Sequence, residues 1–504
     1  MKLIDNFLDS ITMYRLVLYY LILLLVVAFL FCLGGVLPYN PLMFVLSVLF
    51  LLATSWIANK VFSLAYDAPT NVESVYISAL ILALIISPMK SFADLPLLFW
   101  AAVLTMASKY ILTIKSKHIF NPVAVAVVLT AIGFNGSASW WIGTGAMLPF
   151  SLLGMLIVRK IRRWDLVFYF FAAAIVTIFG FSMMQGSDLL TTLKAVLFSS
   201  PIFFFACVIL TEPLTTPPTK ILQSVYGAIV GVLFAPQFHI GTFYLAPEMA
   251  LVIGNIFSYI VSPKDKVVST VKQKLQIAPD MLDFLIAPTK KLAFTPGQYM
   301  EWTLPHKNTD SRGNRRYFTI ASSPTEDTLR LGVKFYPNGS SYKKAMAVLG
   351  TNTPIVGAQL SGDFVLPKDV NQKLVFIAGG IGITPFRSIL KYLIDIKQKR
   401  PIIQFYANKN ASEIAYADVF NAAQQELGIK TVYTLTDTSS IPSDWKGKTG
   451  RIDATMITEE VPDFKERIFY LSGPHAMVEA YKETLRNMGV PSKHIKVDFF
   501  PGFM

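Results

Sequence analysis

The chain has 504 residues, of which 53% are hydrophobic and only 15% are charged. Soluble proteins contain roughly a quarter charged residues, so this composition excludes a disordered chain and a cytosolic enzyme over the full length. The formal net charge is +13, yet the chain has neither a basic arm nor an RNA-binding aromatic motif, and nucleic acid is not an expected partner.

Charged residues divide the chain into two halves. Residues 1–262 contain 13 Lys and Arg and 9 Asp and Glu, whereas residues 263–504 contain 32 and 23. The first half therefore has the composition of a membrane domain, and the second half that of a soluble domain. Cys32 and Cys207 are too few for an iron–sulfur cluster or a four-cysteine zinc site, and no metal site is predicted.

Apolar runs follow one another closely in the first half. They cover about 15–35, 41–58, 75–88, 95–114, 121–134, 147–158, 165–184, 192–211, 223–235 and 242–262. Since a span needs roughly 20 apolar residues, we predict a polytopic α-helical membrane domain of about ten spans over 1–262, with broken helices at the shorter runs. The first run follows Asp5 and Asp9 and is too long for a signal peptide, so we expect it to be a span.

Basic residues in the connections predict the orientation of these spans. With the N-terminus inside, the inner connections carry most of them: Lys60, Lys115, Lys117, Arg159, Lys160, Arg162, Arg163 and Lys220. The outer connections carry Lys90, with Lys194 near an outer edge. We therefore predict an integral protein of a bacterial-type inner or plasma membrane, in contact with lipid, with both termini in the cytoplasm.

Two polar segments interrupt the apolar half. Residues 118–122 read His-Ile-Phe-Asn-Pro, and residues 211–219 read Thr-Glu-Pro-Leu-Thr-Thr-Pro-Pro-Thr. Asn121 and Glu212 lie at the ends of apolar runs, where an unpaired polar group is costly. In the simpler alternative, Pro122 starts a helix and the Pro/Thr run is a cytosolic turn.

These two segments resemble the NqrB/RnfD family, over roughly residues 40–262. Its members are the flavin-carrying membrane subunits of sodium-pumping NADH:quinone reductases and Rnf complexes. The resemblance makes Asn121, Glu212 and Thr216 the candidate functional residues of the membrane half. The family carries FMN esterified to a threonine, and the nearest match here is residues 144–147, Thr-Gly-Ala-Met. Because Met147 has no hydroxyl, we predict that the membrane half holds a non-covalent flavin (FMN or riboflavin), which would be a second flavin beside any in the other half, or a direct quinone site.

Haem is an alternative cofactor for a membrane domain joined to a soluble one, because transmembrane ferric reductases and NADPH oxidases join a reductase domain to bis-histidine haem helices. Two such haems need four histidines, whereas the first half has His118 and His239. The predicted topology puts these two near opposite faces, so no haem is predicted.

The second half changes from helical to strand patterning. Residues 266–366 read as short strands broken by Gly, Pro, Asn and Asp, which predicts an antiparallel β-barrel. Residues 367–504 alternate apolar runs with helix-like stretches, which predicts an α/β domain with a parallel sheet. The expected strands of that sheet are Leu374–Ala378, Ile402–Tyr406, Thr431–Thr434 and Ile468–Leu471.

One barrel stretch, residues 316–324, carries chemistry: Arg-Tyr-Phe-Thr-Ile-Ala-Ser-Ser-Pro. Arg316 can bind a pyrophosphate with two hydrogen bonds. Phe318 can stack on a flat ring, and Thr319 can hydrogen-bond a ring nitrogen. The alternative is a plain strand with one arginine that extends to solvent.

A glycine-rich turn follows the first strand of the α/β domain. Residues 379–385 read Gly-Gly-Ile-Gly-Ile-Thr-Pro and precede a helix-like run. Glycines let the backbone approach a phosphate, and a helix N-terminus favours an anion. This places Gly379, Gly380, Gly382, Thr384 and Pro385 at a candidate nucleotide site, the alternative being an ordinary strand-to-helix turn.

Together these motifs resemble the ferredoxin–NADP reductase superfamily, across about 266–504. The resemblance implies that Arg316 binds the FAD pyrophosphate and that Phe318 and Thr319 contact the isoalloxazine. It further implies a barrel turn that includes Gly297 and Tyr299.

The same resemblance implies further FAD and NAD(P) residues. Gly339 and Ser341 match a second phosphate loop. Ser472, Gly473 and Pro474 match a nicotinamide-side Cys-Gly-Pro in which serine replaces cysteine. The aromatic C-terminus, 499–503, matches the segment that covers the flavin, with Phe500 as its candidate. The implied catalytic residues are thus Thr319, Ser472 and Phe500.

The choice between NADH and NADPH depends on the end of the second parallel strand. There an acidic residue would select NADH and reject a 2′-phosphate, but the sequence has Asn408, Lys409 and Asn410. One lysine is fewer basic groups than NADPH sites usually present, so NADH is favoured and Lys409 is its candidate contact.

The sequence thus predicts a membrane flavin oxidoreductase. NAD(P)H gives a hydride to FAD on the cytosolic side, and electrons pass into or across the membrane to a quinone or an extracytosolic acceptor. The alternative is a transporter, or a redox-driven ion pump, whose reductase domain senses redox state. Redox groups in the membrane half would distinguish the two.

Overall fold

The computed structural model describes residues 7–8, 11–66, 72–114, 117–134, 136–240, 243–262, 267–304, 306, 310, 314–337 and 339–498. They form two compact units, one before residue 266 and one from there on, called below the membrane unit and the reductase unit after the roles that the sequence predicts for them.

The membrane unit is helical. Its helices are α1 Met13–Leu33, α2 Pro41–Ala65, α3 Val72–Ile85, α4 Leu95–Ile111, α5 Pro122–Phe134, α6 Leu148–Ser151, α7 Met155–Ile161, α8 Trp164–Met184, α9 Leu189–Phe198, α10 Ile202–Phe204, α11 Lys220–Leu233 and α12 Pro247–Val261. Helix α10 continues into a π-helical turn, Phe205–Ile209. Two short antiparallel pairings join Thr113–Ile114 to Lys117–His118 and His239–Ile240 to Phe243–Tyr244.

The prediction of ten spans is wrong. Among the described residues, four helices are long and apolar enough to cross a membrane, namely α1, α2, α8, and α4 with the turn that precedes it. A fifth arises if α9 and residues 202–209, bent by 58°, count as one span. The remaining apolar helices, α3, α5, α11 and α12, have 10–17 residues. The overcount arises because hydropathy registers apolar residues but not the breaks in the helices that they form. One such break is the bend after α9, where Pro201 lacks an amide donor.

The reductase unit begins with a six-stranded antiparallel sheet. Its strands are β1 Val267–Ala278, β2 Met281–Pro288, β3 Tyr299–Thr303, β4 Arg315–Thr319, β5 Leu329–Lys334 and β6 Pro354–Ser361, in the order β4-β3-β6-β1-β2-β5. The Ala321 amide, just after β4, donates to the Arg330 carbonyl of β5 at 2.8 Å, which brings the two edges together. A short helix, α13, covers Ser341–Ala347. This confirms the predicted antiparallel barrel.

A parallel sheet completes the reductase unit. Its strands are β7 Leu374–Gly379, β8 Ile402–Asn408, β9 Lys430–Leu435, β10 Lys448–Thr449, β11 Ile468–Ser472 and β12 Ile495–Val497, in the order β10-β9-β8-β7-β11-β12. Helices α14 Thr384–Asp395 and α15 Ala417–Leu427 cover one face, and α16 Ala454–Glu460 and α17 His475–Asn487 cover the other. The four predicted strands are confirmed, each extended by a residue or more. Since all strands are parallel, their carboxyl ends share one edge.

Candidate functional site

The glycine-rich turn lies at that carboxyl edge. Strand β7 ends at Gly379, a tight turn covers Gly380–Ile383, and α14 starts at Thr384 with Pro385 in its first turn. The residue before α14 provides no capping side chain. Gly380 has φ +53° and open space where a side chain would be. The first amides of a helix have no partner within the helix, and beside open space they suit an anion such as a phosphate.

The turn packs directly against the end of strand β11. A Cβ added to Gly382 would lie 2.5 Å from the Ser472 carbonyl oxygen, so only glycine permits this approach. Ser472 is buried, while Pro474, which precedes α17, is exposed. The structure therefore brings together the predicted phosphate turn and the predicted Ser-Gly-Pro segment of residues 472–474.

A carboxylate joins this edge to the barrel. The Ser472 hydroxyl donates to Asp498 Oδ2 at 3.0 Å. Desolvation raises the pKa of Asp498 to about 7, and the interactions of its carboxylate with the Ser472 and Thr319 hydroxyls partly oppose the rise. Asp498 Oδ1 is buried and has no hydrogen-bond partner within the described part of the chain. Thr319, Ser472 and Asp498 thus form one cluster between the two sheets.

Sequence reasoning missed Asp498. It follows β12, the edge strand beside β11, and its amide donates to the Leu471 carbonyl at 2.9 Å. One signal was available: an acidic residue directly after the last apolar run of a parallel-sheet domain lies at the carboxyl edge.

The Arg316 motif occupies strand β4. The Arg316 side chain is buried, with the guanidinium carbon 5.2 Å from the centre of the Tyr342 ring. Phe318 is half-buried, and Thr319, which is buried, pairs with Tyr299 of β3. Gly297, with φ +93°, forms the turn before β3.

The second predicted phosphate loop engages a carboxylate of the chain itself. The Ser341 amide donates to Asp310 Oδ2 at 2.8 Å, and the Ser341 hydroxyl accepts from the Asp310 amide at 2.9 Å. The Gly339 amide donates to the Tyr336 carbonyl at 2.9 Å. Ser341 thus holds an anion, which in this structure is the Asp310 carboxylate, whereas Gly339 bonds to the main chain.

Two of the predicted site residues remain, Lys409 and Phe500. Lys409 is exposed directly after β8. Phe500 lies outside the described residues, together with 499 and 501–504.

In the membrane unit, the two polar segments meet. The Asn121 side-chain amide donates to Glu212 Oε2 at 2.8 Å, and the Thr215 hydroxyl donates to the same oxygen at 3.1 Å. The Asn121 main-chain amide donates to Asn255 Oδ1 at 2.7 Å. Arg163 donates to the Thr216 hydroxyl. Glu212 and Thr216 thus bond to different partners. Glu212 accepts from Asn121 and Thr215, and Thr216 accepts from Arg163.

The 144–147 stretch packs inside the membrane unit. Met147 is fully buried, and the Thr144 hydroxyl is buried with no hydrogen-bond partner among residues the structure describes. Lys160 and Arg163, counted above as charges of a connection, are also buried.

Comparisons with known proteins agree with the reductase unit. The family model of the oxidoreductase NAD-binding domain matches residues 376–483. A flavohemoprotein of Bacillus cereus is 28% identical over 243 residues, which cover 46% of this chain and 60% of the relative. The xylene/toluene monooxygenase electron transfer component XylA of Pseudomonas putida is 25% identical over 288 residues, 55% of this chain and 78% of the relative.

Among solved structures, the FAD/NAD-binding domain of nitric oxide dioxygenase from Vibrio cholerae aligns with 46% of this chain and 98% of its own, at 20% identity and a TM-score of 0.42. This chain spans about three fifths of the length of the flavohemoproteins it matches.

The reductase unit therefore contains an oxidoreductase NAD-binding domain at residues 376–483, and its barrel followed by a parallel sheet agrees with the predicted resemblance to ferredoxin–NADP reductases. The residues present fit the two cofactors that the sequence predicts, NAD(P) and FAD. The uncapped start of α14 and the open space at Gly380 suit the phosphates of NAD(P). The unpaired Asp498 Oδ1 and the Thr319 hydroxyl suit the polar edge of a flavin.

Proposed function

We propose that this chain is a membrane-bound NAD(P)H-dependent flavin oxidoreductase. In the proposal, the reductase unit takes a hydride from NAD(P)H on the cytosolic side, and electrons leave through the membrane unit to a quinone or an extracytosolic acceptor. The observation that carries it is the cluster of Thr319, Ser472 and Asp498 beside an uncapped, glycine-lined turn.

Each residue of the candidate site has a defined task in this proposal. Arg316 holds the pyrophosphate of FAD through its planar fork of donors. Phe318 packs against the flavin ring, and Thr319 hydrogen-bonds its edge. The amides that start α14 hold the NAD(P) phosphates. FAD, when bound, accepts a hydride as an electron pair and releases electrons singly. Ser472 and Asp498 orient and polarise the nicotinamide end.

NADH is the proposed donor rather than NADPH. No acidic residue directly follows β8, but Lys409 is the single cation there, and it is exposed. A 2′-phosphate is usually bound by more than one basic group. Comparing kcat/KM for NADH and NADPH tests this choice, and a ratio in favour of NADPH contradicts it.

The membrane unit is proposed to be NqrB/RnfD-like and to contact lipid directly. Four to five helices have the length and composition of spans, and outward side chains such as Leu64, Val176 and Met184 are 70–84% exposed. The contact between Asn121 and Glu212 supports a shared role for the two polar segments. A second, non-covalent flavin or a quinone is the proposed occupant of this unit.

The test is the flavin stoichiometry of the detergent-purified protein, before and after acid precipitation, together with its NADH oxidation. One released FAD per chain with NADH oxidation supports the reductase and directs the search to quinone reduction. A second flavin supports a relay through the membrane unit. Absence of flavin contradicts the proposal.

A redox-driven ion pump is the second candidate. It is favoured by Glu212, whose carboxylate accepts hydrogen bonds from the Asn121 amide and the Thr215 hydroxyl inside the predicted membrane unit. Turnover in sealed vesicles that is independent of sodium and moves no protons would exclude pumping.

A further inference from the structure

Arg387 connects the glycine-rich turn of residues 379–385, called here the phosphate turn, to the segment after strand β4, called here the flavin strand. It lies on α14, three residues after Thr384, and its side chain is only 4% exposed. One terminal nitrogen donates to Glu326 Oε1 at 2.9 Å, and the other bonds to Glu326 Oε2, so the pair is bidentate. The same guanidinium donates to the Ala321 carbonyl at 2.9 Å. Glu326 and Ala321 belong to the barrel.

The next residue of α14 repeats this connection. The Ser388 hydroxyl donates to the Ser322 carbonyl at 2.6 Å. Two consecutive residues of α14 therefore bind two consecutive carbonyls of the barrel. Those carbonyls follow Thr319 by two and three residues, so α14 is fastened to the segment that continues the flavin strand.

A glycine on the barrel allows a second, independent contact. A Cβ added to Gly332 of β5 would lie 2.6 Å from the Tyr416 hydroxyl oxygen and 2.7 Å from Thr384 Cγ2. Thr384 is a residue of the phosphate turn, and the Arg387 guanidinium lies over the Tyr416 ring at 5.6 Å. The start of α14 is thus seated against the barrel at this glycine.

We propose that Arg387 is a positioning residue for hydride transfer, holding the start of α14 at a fixed place relative to Thr319 through Glu326, Ala321 and the seat at Gly332. This inference rests on the proposed function. NAD(P)H bound at the start of α14 and FAD bound along β4 can react only if the two sheets keep their relative placement. A misplacement of 1 Å can cost about 100-fold in rate.

The chemistry of the pair favours placement over simple stabilisation. A buried ion pair is weak support for stability, because desolvation offsets the attraction. A bidentate arginine fixes both distance and angle. Glu326 is itself held from the other side, since Arg330 Nε lies 3.4 Å from Oε1 and Arg330 also pairs with Asp283 at 2.8 Å.

The experiment compares R387K and E326Q with wild type in the full-length, FAD-loaded protein. Stopped-flow absorbance follows flavin reduction at saturating NADH, and a second experiment follows reoxidation of photoreduced flavin by ferricyanide. We expect flavin reduction about 100-fold slower in R387K, with unchanged FAD content and unchanged reoxidation. The control is E460Q, which weakens the ion pairs of Glu460 with Lys430 and Lys448 on the far part of the sheet and should change neither rate.

A purely structural role would lower FAD content or slow both half-reactions together, and that result overturns the inference. So does reduction of flavin-replete R387K at the wild-type rate. If R387K does not fold, S388A decides, because it removes one connection without leaving a buried charge; slower reduction alone supports the inference, and wild-type reduction overturns it. If NADH and NADPH fail to reduce wild-type flavin, the proposed function fails as well.

Discussion

The Ser472 hydroxyl donates a 3.0 Å hydrogen bond to the carboxylate of Asp498, 26 residues further along the chain. Ser472 ends β11 and Asp498 directly follows β12, and these two strands are parallel neighbours at the edge of the sheet. The bond therefore joins the ends of these two strands at the carboxyl edge of the sheet, on the side where the barrel contributes Thr319.

Replacing Asp498 by Asn tests the electrostatic role of this carboxylate. Hydride donation leaves the nicotinamide positively charged, and an ionised carboxylate at the reacting end favours that charge. Because the pKa of Asp498 is raised to about 7, we expect flavin reduction to accelerate as the pH rises through about 7. D498N should lose this dependence. Stopped-flow reduction across that pH range is the measurement, and an unchanged profile in D498N contradicts the assignment.

The same substitution changes stability with a defined sign. The ordinary pKa of the carboxyl is 3.8 and its folded value about 7, so between these the folded protein retains a proton that the unfolded chain loses. Asp498 therefore lowers the free energy of unfolding as the pH rises from about 4 to about 7. D498N should remove this slope. Thermal unfolding of both proteins over that range is the measurement.

Replacing Ser472 by Ala should move the titration rather than abolish it. The Ser472 hydroxyl stabilises the charged carboxylate, so its loss should raise the pKa of Asp498 above about 7 and shift the inflection of flavin reduction to higher pH. S472C, which restores a weak donor, should give an intermediate inflection. Identical pH profiles for all three proteins would show that the hydrogen bond has no kinetic role.

The barrel and the parallel sheet were accessible from the sequence because their signals are local. The glycine-rich turn directly follows a wholly buried strand, and the Arg316 motif occupies four neighbouring positions. Asp498 and Arg387 were not accessible in this way, since their partners lie on other elements. The spans were overcounted because apolar helices such as α3 and α5 end after 14 and 13 residues.

Replacing Arg316 by Ala should release FAD. Hydrogen bonds to charged groups contribute about 1.5–3 kcal/mol, so we expect FAD to bind roughly ten- to hundredfold more weakly. The neighbouring arginine gives the control, because Arg315 is partly exposed and lies 3.4 Å from Glu301. Flavin fluorescence after gel filtration measures the content. Equal FAD retention in R316A and R315A would contradict the role of Arg316.

Replacing Gly380 by Ala should weaken NAD(P)H binding without unfolding the protein. Gly380 and Gly428 both have positive φ, +53° and +71°, and both face open space. Each alanine should therefore cost a similar amount of stability, about 1 kcal/mol. Only G380A places a methyl group beside the phosphate turn, so only G380A should raise the KM for NADH, by about tenfold. Equal KM values in the two variants would place the phosphate elsewhere.

Replacing Asn121 by Asp tests the membrane unit. The Asn121 side-chain oxygen accepts from the Val123 and Ala124 amides at 3.1 and 3.0 Å, and its nitrogen donates to Glu212. N121D retains the helix cap but sets a second carboxylate against Glu212, and like charges at this distance repel. We expect NADH-to-ferricyanide activity of the reductase unit to persist, while electron delivery to a membrane quinone falls.

The double variant N121D/E212Q supplies the matched control for that prediction. In it a glutamine amide at position 212 donates to a carboxylate at position 121, which restores one donor and one acceptor with the polarity reversed. Quinone reduction should recover if the contact between the two segments matters. If N121D leaves quinone reduction unchanged, the Asn121–Glu212 contact serves only to join two helices. If the double variant is as impaired as N121D, the carboxylate of Glu212 itself is required, which would favour the ion-coupled alternative.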